Sequence, residues 1–220
     1  SFCSQHWLGL QKVAALRSGS MYRQMSDTGT QRLERLLPDL IAACGGVDQP
    51  ARALDGVLRV IESIGRRSAY ISLLNENTAA LDRLVSLCGS SDFLARQVAA
   101  HPLLLDELLD HRIFSAPPDR KDLEHDLQHR LTGAGMDDTE RRFEALRNFQ
   151  QAAVFRVAVA DMSGALPLMQ VSDRLTDIAE LVLEEAIAIS FAELSGKHGM
   201  PCCVEEESRR RVGFAIAGYG

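Results

Sequence analysis

The sequence predicts an all-α protein, helical hairpins followed by a long antiparallel helix pair, with a single C-terminal strand. Three observations carry that prediction. Aromatic residues make up only 5% of the chain while Leu, Ala and Arg abound, a balance that suits helices better than a β-sandwich. Leucine and isoleucine recur at spacings of three and four. The segments between these runs are short and marked by Gly, Pro, Ser and Asn. With 220 residues, 46% hydrophobic and 25% charged, the chain can bury one sizeable core or two small ones, which excludes disordered and collagen-like classes.

Residues 1–29 hold the sole tryptophan, Trp7, and the basic residues Lys12, Arg17 and Arg23 without a sustained period, and read as a short helix plus linker. From Gln31, Leu33, Leu36, Leu37, Leu40 and Ile41 keep helical spacing until Gly45-Gly46. Pro50 suits the first turn of the next helix, whose apolar positions Leu54, Leu58, Ile61 and Ile64 run to Gly65. A short helix over 69–74 follows. Asn77 is the expected N-cap of a helix carrying Leu81, Leu84, Val85 and Cys88 and ending at Gly89. Ser90 or Ser91 caps another, and His101-Pro102 restarts the chain into Leu103–Leu105.

Pro117-Pro118 and Gly133-Ala134-Gly135 read as linkers on either side of a charged helix over 122–131. Beyond them two longer helices are expected, Asp138 to about Met162 and Pro167 to about Leu194. The loop between them is short enough to force an antiparallel pair. Its seam is expected to bury Phe143, Leu146, Leu175, Ile178 and Val182, with Leu168, Val171 and Ile189 continuing the face of the second helix. Val212, Phe214 and Ile216 alternate with small residues and predict the one strand, 212–217.

A net charge of −6 offers no general attraction for nucleic acid or an anionic membrane, and no apolar run reaches the length of a membrane span. Five cysteines in an irregular arrangement suggest a reducing, cytoplasmic compartment. The chain begins at Ser1 and stops at Gly218-Tyr219-Gly220 directly after an apolar run, and is expected to be a piece of something longer.

Five groups invite a chemical reading. His125 and His129 stand four apart on a helix, but the metalloprotease glutamate is absent, so a solvated face is the reading adopted. His198 with Cys202-Cys203 offers soft ligands in poor geometry for one tetrahedral metal, and no metal site is expected. Asp173, Asp177, Glu180 and Glu184 make an acidic stripe, either solvated or docked on a basic partner. Arg66-Arg67 near Tyr70 suit an anion or pairing with Glu62 or Glu76. The terminal Gly218-x-Gly220 follows the expected strand, where backbone N–H groups can approach a phosphate closely.

Arg67-Ser-Ala-Tyr-Ile-Ser-Leu-Leu-Asn-Glu-Asn77, His101-Pro-Leu-Leu-Leu-Asp-Glu-Leu-Leu-Asp110 and Val171-Ser-Asp-Arg-Leu-Thr-Asp-Ile-Ala-Glu180, followed by Gly218-Tyr-Gly220, resemble the bacterial glutamine synthetase adenylyltransferase/adenylyl-removing enzymes. The resemblance covers about residues 30–220. It implies two nucleotidyltransferase domains of the DNA polymerase β type flanking a helical middle. One attaches AMP from ATP to a tyrosine of glutamine synthetase and the other removes it by phosphorolysis. Glutamine as effector and the PII signalling protein set the balance.

On that plan residues 1–29 resemble the tail of the preceding domain and 30–133 the central helical region. Residues 134–220 resemble the helical lead-in and first strand of the second, truncated nucleotidyltransferase α/β domain. Family members continue with Lys-Leu-Gly-Gly and a Ser-Asp-x-Asp that holds Mg2+. The Ser-Asp pairs here, at Ser26, Ser91 and Ser172, are not followed by x-Asp. The resemblance therefore implies nucleotide-binding roles for Gly218 and Gly220 only, with ATP and Mg2+ as cofactors of the parent enzyme, no catalytic residue in this chain and no activity of the chain alone. The rival expectation is a helical module that binds a protein partner or transmits a signal.

Overall fold

The computed structural model describes residues 2–110, 118–135, 138–205, 208–211 and 216–217. The chain divides into two compact units, one joining the residues up to Asp119 with Gln151–Leu175, the other joining Arg120–Gln150 with the residues from Thr176 on. This division cuts across the boundaries at 29/30 and 133/134 read from the sequence, and two long helices contribute to both units.

The first unit is built from α1 (Phe2–Ser18), α2 (Ser20–Arg23), α3 (Asp27–Gly45), α4 (Pro50–Ile64), α5 (Ser68–Glu76), α6 (Thr78–Ser90), α7 (Asp92–Ala100) and α8 (Leu104–Glu107). Later residues of α10 (Thr139–Met162) complete it, and Ala152, Phe155 and Val159 join the same apolar cluster. The helix starts follow from side chains that take up free backbone donors. Ser26 Oγ accepts from Gly29 N at 3.1 Å, Asn77 Oδ1 from Ala80 N at 3.0 Å, and Ser91 Oγ from Leu94 N at 3.3 Å. Pro50 occupies the first turn of α4, where its missing N–H costs nothing. Gly89 does not end α6, which runs one residue further. It lies against Ala53 and Val47, so its role is packing rather than termination.

α4 is the centre of this unit, packing most extensively on α6 and α7 and also on α1, α3 and α5. Ala53, Leu54, Gly56, Val57, Leu58, Val60, Ile61 and Ile64 are all buried, an arc of about 200° at the helical period. Only Arg52, Asp55, Arg59, Glu62 and Ser63 face outward in its middle turns. The region expected to be a short helix and linker is instead the 17-residue α1, whose Val13 and Leu16 are buried in the core. The carboxylate of Glu34 in α3 ties that start of the chain down. It accepts from Arg17 Nε at 2.9 Å, from Arg17 Nη2 at 2.5 Å and from the Tyr22 hydroxyl at 2.7 Å.

The second unit takes α9 (Arg120–Ala134), the first half of α10, most of α11 (Leu168–His198) and a hairpin of β1 (Cys202–Glu205) and β2 (Ser208–Arg211). Gly135 and Gly164 follow α9 and α10 at φ 84° and 72°, left-handed positions that favour glycine. α9 thus extends through Gly133, and the break falls at Gly135. The antiparallel pair is present. Arg142 lies 4.0 Å from Glu185, and Thr139 is hydrogen-bonded to Glu193, so the start of α10 runs beside the end of α11. Buried leucines at 123, 127 and 131 form the inner stripe of α9.

The seam differs from the expected set. Leu146 and Ile178 are buried and Phe143 and Val182 half-buried, but Leu175 is 41% exposed and Leu168 80% exposed. The reason is geometric. Residues 168, 175, 182 and 189 repeat every seven, and on a straight helix such a row drifts about 20° per heptad. Exposure falls along it from Leu168 through Leu175 and Val182 to Ile189 at 1%. The buried face is instead Ile178, Leu181 and Ile189.

The predicted strand over 212–217 is not seen where it can be checked. Residues 212–215 lie outside the described residues, and Ile216 and Ala217 have no regular structure. The strands that are described come just before it, antiparallel with Cys202 opposite Arg211 and Glu205 opposite Ser208. No Gly, Asn or Pro between them announced a turn.

Two expectations follow. A methyl on Gly56 would stand 2.8 Å from Cys88 Cβ and 3.2 Å from Ala95 Cβ. Gly56→Ala should therefore destabilise by about 1–2 kcal/mol, overpacking outweighing the gain in helix propensity. Gly65→Ala would press only on the movable Met21 thioether and should cost less. Urea unfolding of the two variants checks the order.

The hydrogen bonds from Arg17 and then Tyr22 hold the Glu34 carboxyl below its ordinary range. A depressed acid stabilises fully above its unfolded value of about 4.3 and loses that contribution as pH falls through the folded value. Glu34→Gln should cost at most about 1 kcal/mol at pH 7, allowing for solvent screening of a part-exposed pair. It should also flatten the loss of stability below about pH 4.5, which thermal melts across acid pH would read.

Candidate functional site

The three sequence runs that carry the family resemblance turn out to be joints between helices. In the first, Asn75 Nδ2 donates to Arg32 O and Ile71 O, both at 2.9 Å, while Arg32 Nη1 reaches Ser68 O at 3.5 Å, so α3 and α5 are clamped through backbone carbonyls. In the second, Glu107 pairs with Arg156 at 3.4 Å, both side chains 18% exposed, and His101 lies 3.4 Å from Gln151. Arg83 donates to Leu108 O and, at 3.2 Å, to Leu109 O, pinning the chain after α8. In the third, Ile178 is buried while Asp177 and Glu180 accept from Arg120 Nη1 at 3.1 and 2.5 Å.

Arg120 also donates to Glu124 at 3.1 Å, and its hydrogen bonds to these carboxylates, Glu180 foremost, raise its pKa further above the solvent value. The acidic stripe is thus divided. Asp177 and Glu180 bind α9, and Asp173 and Glu184 stand on the exposed side of α11. A second tie that the sequence did not announce is Glu185, which accepts from Gln128 at 3.0 Å and faces Arg142. Partners some sixty residues apart leave no spacing to read.

Two open grooves lie in the first unit. One, of about 540 Å³, is lined by Gln24, Ser26, Gly65, Arg66 and Ser68. Arg66 donates there to Gln24 Oε1 rather than pairing with Glu62 or Glu76. The other, of about 590 Å³, is lined by Arg32, Ser72, Glu76, Asn77 and Leu109. Neither brings together a convergent acid, base and nucleophile. Burial, with lesser contributions from Asp106, pushes the Tyr70 phenol up. The thiols of Cys44 and Cys88 are pushed up to about 11 and about 12 by burial, which keeps them unreactive near neutrality.

The remaining sequence candidates separate. His125 and His129 are exposed on α9, and Cys202 is exposed in β1. Among the described residues no group of three His, Cys, Asp or Glu side chains is arranged to hold a metal ion. Gly218 and Gly220 lie outside the described residues. Two of the three Ser-Asp pairs are helix starts, with Ser26 and Ser91 capping α3 and α7. Asp92 is further committed to Arg59 at 3.1 Å and to Arg96, and hydrogen bonding from Arg59 chiefly holds its carboxyl below the ordinary range. The third pair, Ser172-Asp173, lies within α11. No helix among the described residues is long and apolar enough to cross a membrane.

Comparison with known proteins finds relatives much longer than this chain. The family model described as glutamate-ammonia ligase adenylyltransferase matches residues 81–220. A bifunctional glutamine synthetase adenylyltransferase/adenylyl-removing enzyme of Thioalkalivibrio sulfidiphilus is 44% identical over 96% of this chain and 22% of its own length. A protein of the same name from Pseudomonas putida is 43% identical over the same shares. Its namesake in Hahella chejuensis is 37% identical over all of this chain and 23% of its own. The chain therefore spans about a fifth of the length of these relatives, and with the family model covering more than half of its residues it belongs to the glutamate-ammonia ligase adenylyltransferase family.

Proposed function

We propose that these residues form a positioning segment of a bifunctional enzyme that adenylylates a tyrosine of glutamine synthetase and removes the AMP by phosphorolysis. The observation that supports this is 44% identity across 96% of the chain to a protein named for both activities. The donor sets described above do not fit a Mg2+ site. The carboxylates of Asp92, Asp177 and Glu180 are taken by arginines, and the Ser-Asp pairs serve helices. What the chain supplies, on this reading, is rigid helix joints on which a nucleotidyltransferase domain is mounted.

ATP with Mg2+ would supply the adenylyl group and neutralise phosphate charge in the parent enzyme. Gly218 and Gly220 are proposed as the point where backbone approaches a phosphate. Glutamine and the PII signalling protein are proposed as the effectors that shift the balance between the two activities, in the cytoplasm.

The test incubates the 220-residue chain with MgATP and unmodified glutamine synthetase, beside a longer chain extended through the Ser-Asp-x-Asp segment expected of the family. AMP incorporation by the longer chain alone is the expected result. Turnover by the 220-residue chain would overturn the positioning role, and inactivity of both would overturn the assignment of activity.

A further inference from the structure

The groove of about 590 Å³ in the first unit is lined by one cation and one anion, Arg32 of α3 and Glu76 at the end of α5. They do not pair with each other. Glu76 is exposed and has no ion pair of its own among the described residues, and the Arg32 guanidinium spends one N–H on Ser68 O at 3.5 Å, leaving donors to spare. A ligand of single sign is poorly served there. A phosphate drawn to Arg32 meets Glu76, and a metal ion or amine drawn to Glu76 meets Arg32. A small ligand that carries both charges satisfies both residues at once.

The walls are fixed before any ligand arrives. Asn75 holds the Arg32 carbonyl at 2.9 Å, Asn77 Oδ1 is spent on Ala80 N at 3.0 Å, and Arg83 holds the Leu109 carbonyl at 3.2 Å. Leu73 and Leu109 supply an apolar lining, and Ser72 with Asn77 supplies neutral polar groups. No third charged side chain among the described residues lines the groove, so a ligand whose two charges are met by Arg32 and Glu76 must have a neutral side chain.

We propose that this groove binds a free α-amino acid with a neutral side chain, its carboxylate on Arg32, its ammonium on Glu76 and its side chain over Leu73 and Leu109. A peptide is excluded by the same chemistry, because each amide bond removes one of the two charges from the residues it joins. The ligand class comes from the groove alone, while the first probe, glutamine, rests on the proposal that glutamine is an effector.

Calorimetric titration of the full-length polypeptide reads the binding, with glutamine and leucine as probes. Both should bind. N-acetylglutamine, glutamine α-amide, glutamate and lysine should bind at least about tenfold more weakly, the scale of one lost hydrogen bond to a charged group. Glu76→Gln should weaken glutamine by a similar factor and erase its preference over N-acetylglutamine, whereas Arg32→Met should erase its preference over the α-amide. Matched losses of this kind do not arise from a merely structural role. The melting of Glu76→Gln should be unchanged, since that side chain is exposed and unpaired. Binding that both substitutions leave intact overturns the groove as the site, and so does absence of binding by both probes. Leucine binding that depends on Arg32 and Glu76, without glutamine binding, upholds the groove and overturns glutamine as effector. Groove-dependent glutamine binding in a polypeptide that does not transfer AMP removes the enzymatic reading alone.

Discussion

The first unit depends on how closely α4 can approach α6 and α7. A helix buried over about 200° must meet neighbours on several sides, and helix axes close in only where the contact residues are small. Gly56 opposite Cys88 and Ala95 provides that contact, and at Gly89 of α6 an added methyl would stand 3.5 Å from Ala53 Cβ. With small residues at the crossing, the flanking Val57, Ile61 and Ile64 reach full burial. Buried side chains among the described residues are all apolar, so hydrogen bonding does not fix the arrangement from within. Shape does, and a core specified by shape is sensitive to an added methyl where axes cross.

Polar side chains act instead at the margins, holding one helix to the backbone of another. Asn75 on Arg32 O and Arg83 on Leu108 O and Leu109 O bond a long side chain to a carbonyl, which keeps the donor satisfied wherever the helix settles. Surface ion pairs contribute little individually. Arg120 differs in gathering three carboxylates from two helices, so that its charge is shared within a network.

Sequence reading succeeded where a residue type has one local physical use. Asn77 and Ser91 cap helices because a short side-chain oxygen reaches a free N–H three residues on, and Pro50 starts one because proline lacks the donor. It failed where the answer depends on length or distance. The row Leu168, Leu175, Val182, Ile189 has good local spacing at every step, yet its accumulated drift carries the first members out of the seam. Arg120 and Glu185 find partners about sixty residues away. The Ser-Asp pairs show the opposite hazard, since a dipeptide that holds metal in one context is in another simply the first turn of a helix, its serine a cap and its aspartate facing the helix dipole.

The faces of α11 show why a long helix suits a connecting element. Each face alone has a plain function. One seals a core, and one carries charge to a neighbouring helix through Arg120. A 31-residue helix is about 46 Å long and can hold these tasks at fixed angles because between its first and last turns its backbone hydrogen bonds are satisfied internally. Altering the register by one residue would rotate both faces together by about 100° and misplace each. The constraint therefore acts on the angles between faces, and any length change within α11 that is not close to a whole number of turns would break the seam and the Arg120 network together.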